Sequence, residues 1–288
     1  MDTVYLNGAF LHADEARISP LDRGFLFADG IYEVIPVYGG TPFRLTDHLA
    51  RLERSLAAVA MTNPHDREQW QALFDELIRR NGGGNQALYL QISRGAATGR
   101  DHGFPAEPLE PTVFVMSLPV SAPAADTPDT ATGVAAVTRD DIRWSRCDIK
   151  SVSLLPNILL RQQALEAGAS EAILVRDGFV TEGSASNVFV VGGDGIATPP
   201  RSHAILGGIT RDLVLELCHE HGLPAAEREV SESELRRARE IWLTSSTKEV
   251  VPVVTLNGAP VGDGRPGDQW KQLVRHYVDF KRHLCGLD

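Results

Sequence analysis

Two residues in the stretch from Arg146 to Asn187, RCDIKSVSLLPNILLRQQALEAGASEAILVRDGFVTEGSASN, are of types suited to covalent chemistry. Lys150 sits alone in a nearly uncharged run, Ile149 to Leu160, and Glu182 precedes Gly183-Ser184-Ala185-Ser186-Asn187. The whole chain has four lysines, Lys150, Lys248, Lys271 and Lys281, among 28 lysines and arginines. Arginine stays charged, whereas a lysine in an apolar pocket can lose its proton and attack a carbonyl. A carboxylate in the same stretch can hold a proton on a ring nitrogen. Lys150 therefore reads as a Schiff-base lysine for pyridoxal phosphate (PLP), and Glu182 as the acid facing the pyridine nitrogen. Taken alone, Lys150 is more plainly read as a lysine snorkelling from a strand edge.

A phosphate needs backbone N–H groups, hydroxyls and a guanidinium. Leu206-Gly207-Gly208-Ile209-Thr210-Arg211 offers glycines leading into a helix start, where free N–H groups and the helix dipole favour an anion. Thr210 adds a hydroxyl, and Thr244-Ser245-Ser246-Thr247 adds four more at a strand end. Plain capping and turn chemistry would use the same residues. Arg51 lies in His48-x-x-Arg51-Leu52-x-x-Ser55, on a helix whose other face is apolar; a solvated surface arginine fits that pattern too. In the loop Arg94-Gly95-Ala96-Ala97-Thr98-Gly99-Arg100-Asp101-His102, Arg100 and His102 are two apart and project to one side of an extended segment. A guanidinium beside an imidazole suits a carboxylate. An ordinary polar loop is the plainer reading.

The elements that must carry these groups alternate between strand and helix patterns. Asn7-Gly8 marks a hairpin within Val4 to Leu11, and Ser19 to Gly24 reads as a loop. Gly30 to Val37 reads as a strand turned by Gly39-Gly40. A helix capped by Thr46 or Asp47 follows, with Leu49, Leu52, Leu56 and Val59 on one stripe. A second helix points Trp70, Leu73, Phe74, Leu77 and Ile78 inward and ends at Asn81-Gly82. Strands are expected at Ala87 to Ser93 and Thr112 to Val120, so residues 1–120 form a smaller α+β domain. Residues 121–132, SAPAADTPDTAT in composition, read as a linker. Residues 133–288 make a larger domain with strands at Val134 to Thr138, Asn187 to Val191 and Ile241 to Thr244, and a hairpin about Asp177-Gly178. Its helices are Asn157 to Ala167, Ile209 to His221, Glu232 to Arg237 and Asp268 to His283. The fold class is α/β (α+β).

Composition narrows the function. The chain has 288 residues, 43% hydrophobic and 23% charged, ordinary for a globular protein. A net charge of −10 argues against nucleic acid or an anionic membrane as the main partner. No apolar run has the length of a membrane span, and MDTVYLNGAF lacks the basic and apolar regions of a signal peptide. Three scattered cysteines, Cys147, Cys218 and Cys285, point to a reducing compartment, hence the cytoplasm. Cys218, His219 and His221 do not form a recognised metal spacing, and no metal is expected.

Taken in order, FADGIYEV with Tyr32, HLARLERS with Arg51, the RG…GRDH loop, Lys150, TEGSASN with Glu182, LGGITR with Thr210 and TSST with Ser246 resemble the fold-type IV PLP-dependent aminotransferases. That family includes branched-chain aminotransferase, aminodeoxychorismate lyase and D-amino acid aminotransferase, and the resemblance spans essentially the whole chain. It implies a two-domain fold with the active site between the domains and a C-terminal domain that binds PLP. Lys150 would hold the cofactor and shuttle the α-proton, with Glu182 at the ring nitrogen. Arg51, Ile209, Thr210 and Ser246 would hold the phosphate. Leu206 would pack on the ring and Tyr32 would line the substrate pocket. The Arg100-x-His102 pair is similar to the carboxylate trap of D-amino acid aminotransferase, which reaches the active site from the neighbouring subunit of a homodimer. The expected substrates are D-amino acids, such as D-alanine and D-glutamate, and 2-oxo acids such as 2-oxoglutarate. A branched-chain L-amino acid aminotransferase, an (R)-amine-accepting transaminase and, further off, aminodeoxychorismate lyase share the resemblance; the Arg100/His102 pair weighs against the branched-chain one.

Overall fold

The computed structural model describes residues 2–120 and 126–287. The chain divides into two compact units. One contains Met1–Ser121, Ile149–Ser153 and Leu284–Asp288; the other contains Ala122–Asp148 and Leu154–His283. The division is thus not linear in sequence, because two short pieces of the C-terminal half count with the first unit. Of the expected linker, residues 121–125 lie outside the described residues. Asp126 and Asp129, which follow, form ion pairs with Lys281 and Arg275 of the second unit.

The first unit is an antiparallel sheet covered by helices. Its strands are β1 (Thr3–Leu6), β2 (Ala9–His12), β3 (Gly30–Tyr38), β4 (Thr41–Pro42), β5 (Gln86–Ser93) and β6 (Thr112–Pro119), in the order β2-β1-β6-β5-β3-β4. The hairpin at Asn7-Gly8 forms as expected, with both residues at positive φ, 46° and 93°. Helix α2 (Leu45–Ala58) and helix α3 (Arg67–Arg80) lay their apolar stripes on one sheet face. That face supplies Ile31, Ile35, Leu88, Leu90, Ile92, Val113 and Val115 to the core. The inward set of α3 is Trp70, Leu73, Phe74, Leu77 and Ile78, the residues its periodicity selects.

Two local expectations need correction. Neither Thr46 nor Asp47 caps α2: the helix starts at Leu45, after Arg44 in the left-handed region at φ 50°. The Asp47 carboxylate is instead taken by Arg44 Nε at 2.7 Å, inside a first turn that favours an acid. The segment Ser19 to Gly24 is not all loop, since a short helix, α1 (Arg23–Phe27), begins within it, with Asp22 accepting from Gly24 N at 2.7 Å.

The second unit is a mixed sheet: β7 (Val134–Asp140), β8 (Glu171–Arg176), β9 (Phe179–Gly183), β10 (Asn187–Gly192), β11 (Gly195–Thr198), β12 (Ala225–Glu227), β13 (Glu240–Ser245), β14 (Glu249–Leu256) and β15 (Ala259–Pro260). The order is β12-β11-β10-β13-β14-β7-β8-β9, with β15 on β14. Its helices are α4 (Leu155–Glu166), α5 (Ile209–Glu220), α6 (Glu232–Arg236) and α7 (Asp268–Cys285). Pro252 lies mid-strand in β14 opposite Trp242, a residue type that argues against a central strand. Only Ser184, Ala185 and Ser186 join β9 to β10, which stand five places apart in the order. Four peptide steps reach at most about 14 Å, while five strand spacings are about 24 Å. The sheet must therefore curl until the edge strand β9 meets the start of β10, and Gly183 N donates to Ser186 O there at 2.6 Å.

Candidate active site

Lys150 is carried by the first unit. Its segment lies antiparallel along the edge of β3: Ile31 bridges Ser151, Tyr32 N donates to Lys150 O at 3.0 Å, and Val152 N donates to Gly30 O at 3.0 Å. Ser55 Oγ on α2 accepts from Lys150 N at 3.3 Å. These bonds fix the backbone, and the side chain places Nζ 4.2 Å from the centre of the Tyr32 ring. Two of the sequence candidates, Tyr32 and Lys150, thus meet directly.

Arg51 is buried, at 4% exposure, which excludes a solvated surface arginine. Its Nε and Nη2 donate to the two oxygens of Glu33 at 2.8 and 2.7 Å. Glu33 also meets His48 Nδ1 at 2.9 Å. Strand alternation sends Glu33 to the helix-covered face, opposite to Tyr32, where His48 and Arg51 sit one turn apart on α2. Burial pushes the Glu33 carboxyl upward, but the Arg51 charge and the hydrogen bonds from Arg51 and His48 overcome it. The carboxyl is held well below the usual carboxylate range. Burial lowers the His48 imidazole from its ordinary value, against the raising pull of Glu33.

Arg100 and His102 are exposed, and both approach Phe27 of α1: Arg100 Cζ lies 5.2 Å and the His102 ring 5.1 Å from its centroid. Asp101 between them accepts from Gly103 N at 3.0 Å, closing a local turn. Arg23 holds the segment by donating to the carbonyls of Asp101 and His102 at 2.7 and 3.2 Å, while its Nε pairs with Asp29.

The second unit carries the other candidates. Glu182, near the end of β9, is 6% exposed. One oxygen accepts from Arg143 Nη1; the other accepts from Asn187 Nδ2 and from Leu206 N, each at 3.0 Å. Burial pushes its carboxyl up to about 7, against the pull of the Arg143 charge. Asn187 also donates to Leu206 O at 2.8 Å, so Glu182, Asn187 and Leu206 form one network. Ile209 and Thr210 open α5, and no side chain caps that start. Asn187 pairs with Thr244 across β10 and β13, and Ser246 follows directly after β13.

Residues 30–256 match the amino-transferase class IV family. The chain belongs to the class IV aminotransferases. Among curated relatives, the aminotransferase is 43% identical over 274 residues to D-alanine aminotransferase of Bacillus licheniformis, covering 94% of each chain. It is 38% identical over 280 residues to D-alanine aminotransferase of Staphylococcus aureus strain MW2, covering 97% of this chain and 98% of that one. Among solved structures, the branched-chain amino acid aminotransferase of Escherichia coli superposes with a TM-score of 0.89 at 23% identity, covering 96% and 94% of the two chains. The branched-chain aminotransferase of Thermoproteus uzoniensis with norvaline superposes at 0.84 with 24% identity, covering 99% and 95%. Both likenesses support the fold.

The aminotransferase takes pyridoxal 5'-phosphate as cofactor and acts on amino acids and 2-oxo acids. Its own residues fit that group. The helix start of α5 has no side-chain cap, and Thr244 Oγ1, buried in β13, has no hydrogen-bond partner among the described residues. Both suit a phosphate. A buried carboxyl whose anion is penalised by desolvation gains from a further cationic partner, such as a protonated ring nitrogen. Sequence reading of the aminotransferase missed Glu33, His48 and Arg143. Glu33 and His48 lay within motifs already singled out, YEV and HLAR. Arg143 had no local signal, since it meets Glu182 only through the fold, and Asp141 Oδ2 orients its Nη2 from 2.8 Å. Among the described residues, no helix is long and apolar enough to cross a membrane.

Proposed function

We propose that this aminotransferase exchanges the amino group between D-amino acids and 2-oxo acids, with D-alanine, D-glutamate and 2-oxoglutarate as expected substrates. The observation that carries this reading is its likeness to D-alanine aminotransferases, up to 43% identity over nearly the whole chain, against 23–24% for the two branched-chain structures above. When bound, PLP supplies an aldehyde for the lysine amine and a ring that accepts the electron pair released at the substrate α-carbon. Lys150 Nζ anchors the cofactor and moves the α-proton. Glu182 would hold a proton at the ring nitrogen, and Leu206 would line the cofactor site. The N–H groups of Ile209 and Thr210, the hydroxyls of Thr210 and Ser246, and Arg51 hold the phosphate. Glu33 keeps the Arg51 guanidinium in one orientation.

Arg100, His102 and Tyr32 are the proposed α-carboxylate trap. Fixing the carboxylate on one side leaves only one enantiomer with its α-hydrogen toward Lys150. In this reading the enzyme is a cytoplasmic homodimer, and the loop carrying Arg100 and His102 serves the partner's Lys150. The test is the cofactor absorption spectrum of the holoenzyme on addition of D-alanine, L-alanine or L-leucine. D-alanine should convert the cofactor to its amine form, and 2-oxoglutarate should restore it. Faster conversion by L-leucine would overturn the substrate reading in favour of the branched-chain one. Borohydride reduction should label the peptide containing Lys150 and no other.

A further inference from the structure

Glu171 is a buried carboxylate, 5% exposed, that the mechanism above does not use. It opens β8, and its acceptors face the three residues that carry the chain from β9 to β10. Glu171 Oε1 accepts from Ser184 Oγ, from Ser184 N at 3.2 Å and from its neighbour Ala172 N at 2.9 Å. Arg161 Nη1 of α4 stands 3.9 Å from the same oxygen. Glu171 Oε2 accepts from Ser186 Oγ at 3.0 Å. Asn157 on α4 donates to Ser184 O at 2.8 Å from the other side. Space is tight here: a Cβ on Gly183 would lie 2.2 Å from Ser186 Oγ and 3.3 Å from Glu171 Cδ.

This is the seam where the curled sheet returns on itself. Glu182 is the residue before Gly183, and Asn187 is the residue after Ser186. They face each other across the seam through the 3.0 Å bond from Asn187 Nδ2 to Glu182. Gly183 and the three-residue turn thus separate the carboxyl at the proposed ring nitrogen from the amide that orients it, and one carboxylate holds both serines of that turn.

We propose that Glu171 is a positioning residue for the transamination: by fastening Ser184 and Ser186 it closes the seam and holds Glu182 and Asn187 in the geometry that serves the ring nitrogen. This rests on the reading of Glu182 given above. Glu182 also faces Arg143 and, beyond it, Asp141 and Cys147, none of which belongs to the turn. With the turn released, water reaches Glu182, and the desolvation that raises its carboxyl is relieved.

The test compares wild-type holoenzyme with Glu171→Ala, Glu171→Gln, Ser186→Ala and Glu182→Gln. The readouts are the pH at which the cofactor band of the resting enzyme titrates, kcat and KM for D-alanine, the PLP Kd of the apoenzyme, and Tm. Glu171→Ala should move the band's titration in the same direction as Glu182→Gln and lower kcat about ten- to a hundredfold, as loss of an outer supporting bond does. KM should change less than about threefold, because the carboxylate trap is untouched. Glu171→Gln should restore most of both, since its carbonyl can accept from Ser184 and its amide can donate to Ser186 Oγ. Ser186→Ala removes a single donor and should give a smaller shift of the same sign, which keeps the test open if Glu171→Ala fails to fold. A lowered Tm with the titration and kcat of wild type would overturn the proposal and leave Glu171 a structural residue. If Glu182→Gln itself leaves the titration unmoved, the reading of Glu182 fails and the positioning role falls with it.

Discussion

Glu182 shows what burial does to a single carboxyl. Its value of about 7 in the folded chain lies above the ordinary 4.5, so folding favours its protonated form. The stability this group contributes is complete below about pH 4.5 and is lost as pH rises through about 7. A glutamine at this position escapes that loss. The stability of Glu182→Gln apoprotein minus wild type should therefore grow by about 3 kcal/mol between pH 4.5 and pH 8. Urea midpoints at the two pH values measure it, and a flat difference would show that Glu182 ionises without penalty. Glu33 has the opposite sign. Its carboxyl is depressed, so its stabilisation is present at neutral pH and survives into acid until pH falls below the usual carboxylate range. Glu33→Gln leaves the Arg51 guanidinium buried without its anion and should cost about 3–5 kcal/mol. A loss under about 1 kcal/mol in the same measurement would mean that the fork between Arg51 and Glu33 is replaceable.

At the scale of an element, α5 begins where it does because Gly208 leaves room. Its backbone, φ −73° and ψ 135°, would accept an alanine, but a Cβ would come within 2.0 Å of Asn187 Oδ1. Space rather than conformation selects glycine here. Gly208→Ala should displace Asn187 from Glu182 and weaken PLP binding by roughly tenfold or more, with helix content by circular dichroism unchanged. Unchanged affinity would mean that Asn187 has other room to move. In the Arg100 loop both conformation and space select glycine at Gly95, whose φ of 103° and Cβ position 2.1 Å from Glu110 O exclude any side chain. Gly95→Ala should raise KM for D-alanine more than it lowers kcat, because the proposed cofactor residues are elsewhere in the chain.

For the whole molecule, the proposed arrangement of Lys150 and the Arg100 loop on different subunits has a direct consequence. Lys150→Ala and Arg100→Ala proteins, each inactive or weak alone, should regain activity when unfolded together and refolded as mixed dimers. Half of the dimers would then pair one copy of each, and each such dimer would hold one intact site, so recovery should approach about a quarter of wild type. If the loop serves its own subunit, no mixed dimer holds an intact site and mixing restores nothing.

Local chemistry determined much of this protein. The Asn7-Gly8 hairpin, the inward face of α3 and the start of α5 after Gly207-Gly208 follow from turn conformations and helix periodicity, which neighbours in sequence settle among themselves. Lys150, Glu182, Thr210 and Ser246 stand out for a related reason: each lies in a short run of residue types that suits one part of the proposed chemistry. What tertiary structure decided is which distant group answers which. Arg143 meets Glu182 across 39 residues, Glu33 meets Arg51 across 18, and Lys150 joins the edge of β3 by backbone bonds that no side-chain pattern encodes. A buried charge needs a partner, but its sequence does not say where along the chain the partner lies. Only the closing of β9 onto β10 brought Glu171 to the turn that follows Glu182.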